Sequence, residues 1–93
     1  MRISVMTAVF QLEGCHSLKE KRRRVSGIRE RFGRQTNLGV CESGFQDNYQ
    51  QSQWSFVAVG SAQKVVDRTL AAVEEQLEDY VDGFLVDCYR ENL

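Results

Sequence analysis

Along these 93 residues the spacing of apolar side chains switches from two to three or four and back again, twice. Residues 2–12 alternate, with Ile3, Val5, Thr7 and Val9 on one face and Met6, Ala8, Phe10 and Leu12 on the other. A period of two is a strand, and apolar groups on both faces place it inside a sheet. Leu18, Val25, Ile28 and Phe32 then recur at helical spacing. Leu38 and Val40 alternate with Gly39 and Cys41, and Trp54, Phe56 and Ala58 stand opposite Val57 and Val59. These are two strands, with the polar stretch 44–52 as the hairpin loop between them. A second helical stripe runs through Ala62, Val65, Val66, Thr69, Leu70, Val73 and Leu77. In the final segment Phe84, Val86 and Cys88 alternate with Leu85, Asp87 and Tyr89.

The order strand, helix, strand, strand, helix, strand predicts an α+β, ferredoxin-like βαββαβ sandwich. Two helices pack on one face of a four-stranded antiparallel sheet, and right-handed crossovers make strands 1 and 3 central. Residues 1–93 form one domain, since a chain of this size buries roughly 60–65% of its unfolded surface, enough for a single core. Apolar side chains on the sheet's other face predict a homodimer or another partner there. Local signals set the boundaries. Gly14 ends the first strand. Ser17, with Glu20 three residues on, makes a capping box for the first helix. Gly33 and Thr36-Asn37 end that helix, Ser61 is placed to cap the second, and Asp82-Gly83 turns the chain into the last strand.

Charge is distributed unevenly. Eight of the twelve Lys and Arg residues lie between Lys19 and Arg34, opposed there only by Glu20 and Glu30, in a chain of net charge −1. On a helical wheel Lys19, Arg23 and Arg34 point outward, Arg22 and Arg29 flank one side of the apolar stripe, and Arg24 and Arg31 flank the other. Lys21 falls within the stripe, so its stem must pack while its ammonium seeks an edge. Two readings follow. In one, Lys19, Lys21, Arg22, Arg23 and Arg24 contact the phosphates of RNA, with Asp47, Tyr49 and Gln50 of the hairpin loop adding contacts. In the other, the basic helix is neutralised by Glu74, Glu75, Glu78, Asp79 and Asp82 at the end of the antiparallel second helix, which relieves both macrodipoles.

Other chemistry finds little support. Three widely spaced cysteines, Cys15, Cys41 and Cys88, read as reduced thiols of a cytoplasmic protein. No Cys-x-x-Cys or His-x-x-x-His spacing offers a metal site, and none is expected. No segment approaches the roughly 18 apolar residues of a membrane helix, and the start of the chain does not read as a signal peptide. Cys15-His16 lacks a third orienting group, so no catalytic residue and no cofactor are expected. The Trp54–Val59 strand lacks the basic-glycine start of an RNA-recognition motif.

The string Ser17-Leu18-Lys19-Glu20-Lys21-Arg22, followed by Asn37-Leu38-Gly39-Val40, Asp47-Asn48-Tyr49-Gln50 and the Trp54–Val59 strand, resembles the YlxP-like family of small bacterial proteins, domain of unknown function 503. The resemblance covers essentially the whole chain. It implies the ferredoxin-like fold and no established activity. It also implies a setting, because in some bacteria such genes sit beside genes for translation initiation and ribosome maturation. Tyr49 stands where that family more often has Trp, and Gln51 where a basic residue is common. The first functional expectation is therefore a non-catalytic RNA-binding accessory protein associated with translation or the ribosome. The alternative is a non-catalytic dimeric protein-interaction or regulatory module with no nucleic-acid partner.

Overall fold

A computed structural model describes all 93 residues. The elements are β1 (Arg2–Gln11), α1 (Leu18–Phe32), β2 (Leu38–Gly44), β3 (Gln51–Gly60), α2 (Gln63–Gln76), a 3-10 turn (Leu77–Tyr80) and β4 (Phe84–Asn92). The sheet order is β2-β3-β1-β4, with every neighbouring pair antiparallel. This is the βαββαβ arrangement that the changes of period predict, with β1 and β3 central.

Alternation decides which side chains the helices cover. Met6, Ala8 and Phe10 of β1, the following Leu12, and Trp54, Phe56 and Ala58 of β3 are buried beneath Val25, Ile28 and Phe32 of α1 and Val66, Leu70 and Val73 of α2. Each large apolar side chain so buried contributes about 1.5–3 kcal/mol. The Phe32 ring meets Phe56 edge-on at 5.9 Å and Tyr80 at 5.8 Å, which joins helix, sheet and 3-10 turn. The opposite face of the sheet carries no element. Val5 pairs with Val57 there, and Thr7 with Tyr89.

Two local expectations are corrected. Ser61 does not cap α2; the helix begins one residue later than that would allow, with Ala62 at the N-cap and no side-chain bond to the free amides. Strict alternation also fails in β4. A bulge between Val9 and Phe10 of β1 pairs them with Asp87 and Leu85, so Val86 is the extra residue. Leu85 and Cys88 therefore pack against the core, while Phe84 and Tyr89 are exposed. The hairpin loop is also shorter than expected, since β2 continues to Gly44 and β3 starts at Gln51.

Gly27 explains how α1 approaches the end of α2. A methyl group there would overlap the backbone carbonyl oxygen of Tyr80. The amide of Asp82 also donates to the Arg24 carbonyl at 3.0 Å. The start of α1 thus lies against the 3-10 turn and the turn into β4.

Candidate nucleic-acid interface

The helix that carries the charge starts as its sequence dictates. Ser17 is extended, and its hydroxyl accepts from the Glu20 amide at 3.0 Å. The Glu20 carboxylate does not close the capping box; it pairs with Arg24, one turn on, at 3.4 Å. Arg24 is then fully engaged. Its guanidinium donates to the carbonyls of Asp82 and Glu13, both at 2.8 Å, and lies 3.5 Å from the Asp82 carboxylate. It ties α1 to the two loops beside it and is a structural clasp, withdrawn from any outside phosphate.

Lys21 is withdrawn as well. Its side chain is 3% exposed, and its ammonium donates to the Phe45 carbonyl at 2.6 Å and sits 3.3 Å from Glu42 Oε2. The same carboxylate oxygen accepts from the Ser52 hydroxyl at 2.7 Å, and Ser52 Oγ accepts from Trp54 Nε1 at 2.9 Å. A continuous polar chain therefore runs from the β3 indole to the α1 ammonium and on to the hairpin. No buried side-chain polar atom is left without a partner, as burial of a charge requires. Lys21 and Arg24 are both engaged within the chain, so neither is free for the phosphate contact that the first of the two readings expects of them.

The other six cations of the segment, Lys19, Arg22, Arg23, Arg29, Arg31 and Arg34, are exposed and have no carboxylate within ion-pair distance. The acids at the end of α2 do not reach them. Glu74 pairs with Arg90 at 3.0 Å, and Glu78 accepts from the Leu85 amide. Of the five acids expected to neutralise the helix, only Asp82 touches it, through Arg24. Glu30 and Arg34, spaced one turn apart, form no ion pair. Arg31 rests on the rings of Phe32 and Tyr80, at 5.1 and 5.8 Å.

Between α1 and the edge strand β2 lies an open groove of about 780 Å³. Arg22, Arg29 and Arg34 line it, together with Glu30, Glu42 and Trp54. The guanidinium of Arg29 stands 5.6 Å from the centre of the Trp54 ring. Ser26 and Gly33 line the same groove. Sequence reasoning missed this groove. Its signal is the row Arg22, Ser26, Arg29, Gly33, at i, i+4, i+7 and i+11, in which cations alternate with small residues on one helix face.

The hairpin loop is built from its own polar groups. The Asn48 amide donates to the Phe45 carbonyl at 3.0 Å, Asn48 Oδ1 accepts from the Gln50 amide at 2.8 Å, and the Gln50 carbonyl accepts from the Leu12 amide at 2.8 Å. Phe45 has a φ of 59°, a left-handed conformation that costs a residue with a Cβ roughly 1–2 kcal/mol. The Lys21 ammonium grips its carbonyl. Asp47 and Tyr49 are exposed and make no side-chain hydrogen bond, and Gln50 contributes its backbone. A second hollow, about 810 Å³, lies between these residues and Cys15-His16. Cys15 itself is buried, and its thiol donates to the Ser17 carbonyl at 3.6 Å. Cys88 is half-buried; burial and the neighbouring Glu74 push its thiol up to about 11, against the lowering by Arg90. Trp54 faces the helices, so β3 presents no aromatic platform of the RNA-recognition-motif kind. No group of three or more His, Cys, Asp and Glu side chains is placed to hold a metal ion, and no helix is long and apolar enough to cross a membrane.

Comparison with known proteins agrees with the resemblance read from the residues. The family model described as protein of unknown function (DUF503) matches residues 3–90. No curated protein matches the sequence. Among solved structures, the chain is similar to a structural-genomics protein, YJCS, with a TM-score of 0.58 over 98% of each chain at 10% identity. That likeness is one of fold.

Proposed function

From the premise that this chain belongs to the DUF503 family, we propose that it is a non-catalytic, cytoplasmic RNA-binding accessory protein that works with the translation apparatus. The observation that carries the reading is the set of unpaired cations on the outer side of α1. Lys19, Arg22, Arg23, Arg29 and Arg34 are exposed, and no carboxylate of this chain is close enough to neutralise them. Unpaired guanidinium and ammonium groups on one helix form an electrostatic footprint for a phosphate backbone. Asp47 and Tyr49, at the tip of the hairpin held by Lys21, are free to add shape-dependent contacts. The genomic setting implied by the family resemblance favours a ribosomal or translation-factor context for that RNA.

The direct test is a pull-down from lysate, with and without nuclease, using the parent and a variant carrying Lys19→Ala, Arg22→Ala and Arg23→Ala. These residues are exposed, so the variant keeps its fold. The reading expects RNA with the parent, loss of the captured material on nuclease treatment, and little RNA with the variant. Equal capture by parent and variant contradicts it.

A second reading has its own support. Val5, Val57, Phe84 and Tyr89 give the uncovered sheet face an apolar character, which suits pairing with a second copy of the chain. This interface lies on the opposite side of the sheet from α1 and leaves the cations free.

A further inference from the structure

Resting on the RNA-binding reading, we infer that the α1–β2 groove is the seat of a single-stranded RNA segment, with Arg29 as a base-stacking platform and Arg22 and Arg34 as phosphate contacts. The groove is open because small residues separate the cations. Arg22, Ser26, Arg29 and Gly33 lie on one row of the helix, and Ser26 and Gly33 leave gaps between the long side chains. Three guanidiniums meet one unpaired carboxylate, Glu30. The other acid in the groove, Glu42, is already neutralised by Lys21 and bonded to Ser52. The groove therefore has a net positive lining that suits a polyanion.

Its dimensions choose the form of that polyanion. From Arg22 to the end of α1 at Phe32 the groove follows about 15 Å of helix axis, with Arg34 just beyond. That is room for a few nucleotides and far short of the ~16 base pairs that a double-stranded-RNA module spans. Arg29 supplies the flat surface. Its guanidinium carbon stands 5.6 Å from the centre of the Trp54 ring, and the residue is exposed and lines the groove. A planar guanidinium held in this way stacks a nucleobase without choosing among bases. Lys in its place keeps the charge and loses the plane.

Trp54 is the one tryptophan in the chain, and it lies directly beneath Arg29, so its emission reports on the groove. The experiment titrates the full chain into a fluorescein-labelled ten-residue oligouridylate, reading anisotropy with that probe and Trp54 emission with its unlabelled counterpart. A blunt RNA duplex serves as comparison. Both signals are expected to change with the same midpoint, and the duplex is expected to bind more weakly. Ser26→Glu places a carboxylate in the groove at an exposed position where Glu is a good helix former. It is expected to weaken binding at least about tenfold, because a carboxylate brought against phosphate opposes association. Arg29→Lys is expected to weaken it by a smaller factor and to abolish the emission change. Oligouridylate binding that leaves Trp54 emission unaltered, or that Ser26→Glu does not affect, overturns the groove while leaving RNA binding intact. If neither the oligomer nor the duplex binds the parent, the RNA reading and this inference fall together.

Discussion

Lys21 is the one charged residue among the buried side chains of this protein, and its surroundings explain why that is tolerated. Its ammonium has a carboxylate, Glu42, and a carbonyl, Phe45, within reach. Removing Glu42 alone strands a buried cation. Glu42→Ala is expected to destabilise the protein by about 3–5 kcal/mol, measured as a shift in the urea midpoint. Adding Lys21→Met to that variant removes the stranded charge and is expected to recover most of the loss, because a buried pair replaced as a unit costs far less than a pair broken. A double variant no more stable than the single would contradict the pairing. The position of Lys21 within the apolar stripe was legible in the sequence from helical spacing. Its partner was not, because Glu42 lies on a strand whose distance from α1 is a property of the tertiary packing. The same holds for Arg24, whose carbonyl partners lie on two separate loops. Cys88 gives a second prediction at this scale. Its raised pKa means that between pH 9 and about 11 the folded thiol keeps its proton while the unfolded one loses it. The unfolded state then binds fewer protons, so this residue makes stability fall as pH rises through that window. Cys88→Ala is expected to flatten the alkaline decline in urea midpoint; an unchanged pH profile would contradict the assignment.

The helices and strands follow from periodicity, and the departures have local causes. In β4 the single extra residue at Val86 shifts the alternation, so Leu85 and Cys88 turn inward while Phe84 and Tyr89 face out. A sequence pattern of period two cannot register a bulge that only the pairing with β1 creates. The polar hydroxyl of Ser61 looked like a helix cap, yet the chain reaches helical geometry after Ala62. Gly27 is the converse case: a glycine inside a helix lowers its propensity, and here it is the point where α1 meets the 3-10 turn. Gly27→Ala raises helix propensity by about 1 kcal/mol, but the added methyl meets the Tyr80 carbonyl. The net effect is expected to be a loss of about 1–3 kcal/mol, the usual range for overpacking. A urea midpoint equal to or above the parent's would show that the helix can move away freely.

The whole molecule separates two surfaces by placing both helices on one side of the sheet. The uncovered side presents Val5, Val57 and Tyr89, and Val57→Asp is expected to abolish any concentration-dependent dimer seen by sedimentation of the parent. A variant that sediments as the parent does across the micromolar range would place the contact elsewhere. The helical side carries the charge. Antiparallel helices suggested that the acids closing α2 would neutralise the start of α1. The outcome turns on where those acids go: Glu74 reaches Arg90 on β4, Glu78 reaches the backbone of Leu85, and only Asp82 meets α1. The cations left over are what the account rests on. The most direct measurement is the affinity for single-stranded RNA against salt concentration, for the parent and for the Lys19/Arg22/Arg23 triple alanine variant. Each phosphate contact on a single strand contributes about −0.7 to the slope of log K against log salt. The parent is predicted to show a steep negative slope, and the variant one shallower by about 2. Equal slopes, or an affinity indifferent to salt, would mean that these side chains meet no polyanion.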